Sequence, residues 1–206
     1  MTNLPKARPQ TLAHYQNAMT EMDRAVHAMT PVLDKALRDI DQANVNRRTK
    51  MLRLFKVMDT VRELAAPHTP CQKGCSKCCY QRVTLTQLEA DAIGQAIGVT
   101  AQHLPDHFKP KEEREFSPET PCSFLNSEGA CDIYEHRPMM CRNYVNIDVD
   151  DAACSFENWA KTKAGDPSAL PIPMTGCGPV MTAYAELGGR GAIGDVRDFF
   201  PNGLGR

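Results

Sequence analysis

A chain of 206 residues with 42% hydrophobic and 24% charged side chains can bury a core of ordinary domain size, which excludes a disordered polymer. Its formal net charge of −1 supplies no global field, so neither nucleic acid nor an anionic membrane is expected as a partner. No run approaches the roughly 18 apolar residues of a membrane span, and the opening Met1–Lys6 lacks the apolar heart of an export signal. The expected location is the cytoplasm.

Residues 1–10, with Pro5 and Pro9, read as a loose arm. Leu12, Tyr15, Met19, Met22, Val26 and Met29 then recur in steps of three and four, which predicts a helix. Thr30-Pro31 reads as an N-cap followed by proline at the first helical position. The helix it opens carries Val32, Leu33, Leu37 and Ile40; its stripe fades across 41–50 and returns with Met51, Leu54, Phe55, Met58, Val61 and Leu64. Segments 11–29 and 31–65 therefore predict an antiparallel helical hairpin, with a kink or break in the polar middle. This hairpin forms an extension over 1–66. Its apolar side chains are read as core, and a protein partner docking on these helices is the competing use.

Ala66-Pro67-His68-Thr69-Pro70 must end the helix and open a cysteine domain over 67–160. Thr86-Gln87-Leu88-Glu89 fits a capping box for a helix that Gly98 stops after Ile97. Pro105–Pro121 is charged and reads as a surface loop. Cys122–Leu125 and Ala130–Tyr134 predict two short extended pieces joined by the turn Asn126–Gly129. Pro138 begins a helical turn carrying Cys141, and further helices are expected over 155–163 and 179–187. Residues 161–206 make a C-terminal helical segment ending in a glycine-rich, mobile tail. The fold class is mainly α: a helical hairpin followed by a small, loop-rich cysteine domain with short helices and at most a minimal β-hairpin.

Nine cysteines are about 4% of the chain, well below the roughly 8–10% of a disulfide scaffold. Their odd number and the absence of an export signal disfavour disulfides and favour metal or redox chemistry. Isolated cysteines are commonly inert and buried, but four fall within nine residues, as Cys71-x3-Cys75-x2-Cys78-Cys79. Short gaps let sulfurs converge on one centre, and Gly74 helps the chain bend. An extended backbone would send Cys78 and Cys79 to opposite sides. One of the pair is then a ligand while the other packs, or the two serve different metals or a bridged cluster. Cys122, Cys131, Cys141 and Cys154 follow at gaps of eight, nine and twelve residues; without a C-x2-C pair this half is no zinc ribbon by itself. The two halves must meet if all eight are ligands. Soft thiolates select zinc, copper(I) or iron–sulfur. Four of them around Zn²⁺ or a doubly positive cluster leave a charge of about −2, which Lys73, Lys77, Arg82, Arg137 and Arg142 are placed to offset.

C-x3-C-x2-C is also the cluster spacing of radical SAM enzymes, but no alternating strands and helices surround it here. Cys71-x3-Cys75-x2-Cys78-Cys79, then Cys122-Ser-Phe-Leu, then Gly129-Ala-Cys131-Asp-Ile-Tyr134-Glu-His-Arg137-Pro138-x-x-Cys141-Arg142, resemble the YkgJ-like cysteine-cluster family, described as zinc- or iron-chelating with a CxxCxxCC signature. The first gap is three residues rather than two, and Cys154 resembles a further cysteine of that family. The resemblance covers residues 70–160 and implies binding of a metal ion or cluster. A related cluster in flagellin lysine methylases involves an iron–sulfur centre, which makes an enzyme conceivable, although no residue here is assignable to methyl transfer.

Gly189-Arg-Gly191-Ala-Ile-Gly194 spells a dinucleotide motif, but too little chain follows for the fold that motif needs. Pro105 separates His103 from His107 and argues against a shared helical face. His68 reads as a loop histidine, and Cys177 between two glycines is a secondary candidate ligand. The expected function is thiolate binding of iron or an iron–sulfur cluster, with zinc as the alternative, in redox chemistry or metal handling. The competing readings are a structural zinc module and an iron–sulfur-dependent enzyme such as a protein methyltransferase.

Overall fold

The computed structural model describes residues 8–108, 118–172, 174, 175, 177–189 and 191–205. Its first element, α1 (Pro9–Gln42), runs straight through the expected break at Thr30-Pro31. Thr30 Oγ1 donates to the Val26 carbonyl at 3.0 Å instead of capping a new helix. Pro31 removes one amide donor, but it faces solvent, and nothing on that face asks the chain to turn. The turn comes at 43–46, where the apolar stripe fades. Asn46 Oδ1 accepts from the Thr49 amide at 2.9 Å and caps α2 (Arg47–Ala65). His14 Nε2 bonds the His68 carbonyl at 2.8 Å, so the start of α1 lies beside the end of α2 and the pair is antiparallel.

α2 runs through the middle of the core. Its Met51, Leu54, Phe55 and Met58 are at most 2% exposed. They pack with side chains of α3 (Gln87–Ile97), α4 (Met139–Asn143) and α6 (Gly178–Gly188). Truncating any of these to alanine would cost about 2–5 kcal/mol. The remaining elements are β1 (Thr84–Thr86), β2 (Val145–Asn146), α5 (Phe156–Lys163), β3 (Met174–Thr175), β4 (Ile193–Asp195) and α7 (Val196–Phe199). β1 pairs antiparallel with β4, matching Thr84 to Asp195 and Leu85 to Gly194; β2 pairs likewise with β3. The 122–134 segment folds back through one antiparallel bridge, Leu125 to Cys131, with Gly129 at positive φ in its turn. The fold is mainly α. Among the described residues, no helix is long and apolar enough to cross a membrane.

α3 begins and ends where its local signals put it. Thr86 Oγ1 accepts from the Glu89 amide at 3.2 Å, and Gly98 closes the helix at φ +73°. The capping box is only half made, because Glu89 is fully buried and turned elsewhere. Its Oε1 accepts from the Met139 amide at 2.6 Å and its Oε2 from the Tyr184 hydroxyl.

The tail differs most from expectation. Phe199 and Phe200 are buried in the core, and residues 191–205 fold back onto it. The glycines there serve close approach. A Cβ on Gly203 (φ +53°) would sit 2.1 Å from the Ser123 carbonyl oxygen, and one on Gly194 2.5 Å from Leu104 Cδ1. Of the expected surface loop, residues 109–117 lie outside the described residues.

Candidate metal centre

Each cysteine segment is shaped by local backbone bonds. Between Cys71 and Cys75 the chain turns through Gly74 at φ +94°, and the Cys75 amide donates to the Gln72 carbonyl at 3.0 Å. Cys78 and Cys79 lie in a 3-10 turn, Lys77–Tyr80, rather than in extended chain. The two side chains therefore stay close enough for the Cys79 thiol to donate to Cys78. Cys131 sits in the Leu125 bridge, Cys141 on α4, and Cys154 at the end of a 3-10 turn just before Ser155, the N-cap of α5. The two halves of the sequence meet directly: the Cys122 amide donates to the Cys79 carbonyl at 2.7 Å.

By the charge each would exert on its neighbours once ionised, the eight thiols divide into two neighbourhoods. Cys75 feels the charge of Cys71 and Cys78, and Cys154 that of Cys71, Cys75 and Cys78. On the other side Cys141 feels Cys78, Cys122 and Cys131, while Cys79 feels Cys78, Cys122 and Cys141. The first group is thus Cys71, Cys75 and Cys154, the second Cys79, Cys122, Cys131 and Cys141, with Cys78 in reach of both. Cys177 stands apart. It is buried at the start of α6 in the cleft against α1, with Met22, Met58 and Arg62, and its amide donates to Asn143 Oδ1 at 3.3 Å.

A family model named CxxCxxCC, "Putative zinc- or iron-chelating domain", matches residues 70–163. Residues 70–163 are thus similar to that family. No curated protein and no solved structure matches the chain. The CxxCxxCC domain contains all eight clustered cysteines and excludes Cys177.

Burial governs the protonation of these thiols. It pushes Cys122 up to about 11 and Cys154 up to about 12, and raises Cys75, Cys131 and Cys141 as well. Cys78 moves the other way, because it accepts from the Cys79 thiol and lies near Arg62 and Arg137. Cys79 is raised as the donor of that pair and by burial. Backbone N–H groups also point at sulfur: Lys77 to Cys75, Phe124 to Cys122, Ile133 to Cys131, and Asn146 to Cys71 Sγ at 3.5 Å. Such donors favour the thiolate and suit sulfurs that ligate a metal or cluster. The donor set of the CxxCxxCC domain therefore fits zinc or iron. Among the described residues no group of three or more His, Cys, Asp or Glu side chains is arranged to hold a metal ion, so ligation requires the sulfurs to draw together and shed their protons.

Two of the cations around the CxxCxxCC cysteines, Arg137 and Arg142, are held by an acid outside the domain. Asp59 of α2 bonds Arg137 Nη2 at 3.2 Å and also pairs with Arg142 Nη1. Arg142 is 1% exposed, lies over the Phe55 ring at 4.7 Å, and donates to the carbonyls of Glu135 and Arg137. It therefore fixes the segment leading into Cys141. Lys77 pairs with Asp151 at 2.6 Å beside the first group, whereas Lys73 faces the exposed Glu135 at 3.7 Å. His68 turns its Nε2 to Glu21 of α1 at 3.5 Å. Sequence reasoning missed Arg62 and Arg197, which lower Cys78 and Cys122 respectively from outside the cysteine segments.

Proposed function

We propose that this chain is a metal-binding protein whose eight clustered cysteines form two adjoining four-thiolate centres for iron, an iron–sulfur cluster or zinc. Cys71, Cys75, Cys154 and Cys78 serve one centre; Cys79, Cys122, Cys131 and Cys141 serve the other. The observation that carries this reading is the grouping of thiols from distant segments, four of which receive backbone N–H bonds. Such a concentration of half-buried sulfur has little use as apolar packing, and soft donors in fours suit zinc or iron rather than calcium or magnesium.

The adjacency of Cys78 and Cys79 supports two centres lying side by side, an arrangement suited to passing electrons or handing on a metal. Metal, iron and acid-labile sulfide analysis of anaerobically isolated protein tests the reading. About two zinc or iron ions per chain, or iron with sulfide, is the expected result. Protein that holds no zinc or iron after anaerobic reconstitution would sink it.

A further inference from the structure

The C-terminal segment lies outside the CxxCxxCC domain yet grips both halves of its cysteine cluster. Arg197, 7% exposed, spreads its guanidinium over three carbonyls. Nε donates to Pro121 at 3.1 Å, while Nη2 donates to Gln81 at 3.1 Å and to Cys79 at 3.4 Å. Nη1 rests on both oxygens of buried Asp195, at 2.9 and 3.0 Å, and Asp195 accepts from the Val83 amide at 2.9 Å. The Val196 amide donates to the Val83 carbonyl at 2.9 Å. On the second cysteine segment, Phe200 packs on Phe124 with ring centroids 5.1 Å apart, and Gly203 closes against the Ser123 carbonyl.

We propose that Arg197 is a positioning residue of the metal centre, holding the backbones of Cys79 and Cys122 in register so that their sulfurs converge with Cys131 and Cys141. This inference rests on the thiolate reading above. Its physical basis is satisfaction of buried carbonyls: three acceptors from two separate loops share one planar cation, and removing it leaves them without a charged donor. A lysine would keep the charge, but a single ammonium cannot match a fork that reaches three carbonyls and a carboxylate together. Arg197 spends its hydrogen bonds on carbonyls and on Asp195, so it positions the sulfurs through the loops, while its charge also favours the Cys122 thiolate.

Full-length wild type, R197K, R197M and G203A, each titrated anaerobically with Zn²⁺ against a chromophoric chelator, test the proposal. G203A attacks the same grip without touching Arg197. All three variants should bind zinc at the Cys79, Cys122, Cys131, Cys141 centre about tenfold to a hundredfold more weakly. Zinc owed to the Cys71, Cys75, Cys78, Cys154 centre should be unaffected, and the helical circular dichroism unchanged. Wild-type zinc affinity throughout would overturn the proposal, as would loss of all zinc together with the helical signal. Amide exchange gives a readout free of metal. The Cys122 amide should exchange at least tenfold faster in R197M while α2 amides keep wild-type rates; an unchanged Cys122 rate would sink the clamp. A wild type that takes up no metal would instead sink the thiolate reading.

Discussion

Asp59 on α2 and Arg142 on α4 form an ion pair that fastens the helix carrying Cys141 to the helical hairpin. Arg142 is almost wholly buried, whereas the Asp59 side chain keeps 27% of its surface exposed. Removing the acid leaves a buried guanidinium with only carbonyl partners. D59A should therefore destabilise the protein by about 2–3 kcal/mol, somewhat less than a fully buried pair would. Urea denaturation measures this, and an unchanged midpoint would mean that the carbonyls alone satisfy Arg142.

Pro31 offers a stabilising change. It sits exposed in the interior of α1, where it deprives the His27 carbonyl of a donor. P31A restores that donor and should stabilise the protein by about 1–3 kcal/mol. A lower melting temperature in P31A would show that the chain does turn at Thr30-Pro31.

Glu89 makes stability depend on pH. Burial raises its carboxyl from 4.5 to about 7, against the opposing bonds from Tyr184 and Met139. The folded state then holds a proton that the unfolded chain has released, so this group's contribution declines as pH rises from about 4.5 to about 7. The total change is about 3 kcal/mol. E89Q lacks this titration, so its stability relative to wild type should improve across that window and level off above it. Parallel denaturation curves at pH 4.5 and 7.5 check this, and a constant difference between the two proteins would refute it.

How far these features were legible in the sequence depends on range. α3 was readable at both ends because Thr86 and Gly98 act within one helical turn. The same locality misled at Thr30-Pro31, where a sound cap signal had no tertiary demand behind it. The polar stretch after Ile40 marked the true turn, with Asn46 as its cap. Glu89 looked like the second half of a capping box because its partner Met139 lies 50 residues away. The cysteines announced themselves by type and spacing. Arg62, Asp59, Asp195 and Arg197 did not, since a charged residue on a helix face or at a short strand-to-helix junction reads as ordinary surface.

Metal uptake should release protons. Cys75, Cys122, Cys131, Cys141 and Cys154 are all held protonated at neutral pH by burial. A four-thiolate centre built from such groups expels about three to four protons on binding, so its affinity should fall as pH falls. Zinc titration in weakly buffered solution with a pH indicator measures the release. Uptake without proton release would exclude these thiols as ligands.

Cys177 and Cys78 should behave oppositely. Cys177 packs in the core at the start of α6, so C177S should keep full metal content at a modest cost in stability. Cys78 adjoins both thiol groups, so C78S should lower metal content by half or more. Equal metal content in wild type and C78S, measured by elemental analysis, would remove Cys78 from the ligand set.

The Arg197 fork has a consequence for biosynthesis. Ribosomes make a chain from its N-terminus, so all eight clustered cysteines are synthesised before the side chain that spans Cys79 and Pro121. Until then the nascent thiols lie in loops whose alignment is unfinished, open to stray oxidation or to the wrong ion. On the proposed clamp, correct loading would be set by when β4 and α7 dock rather than by when the sulfurs appear.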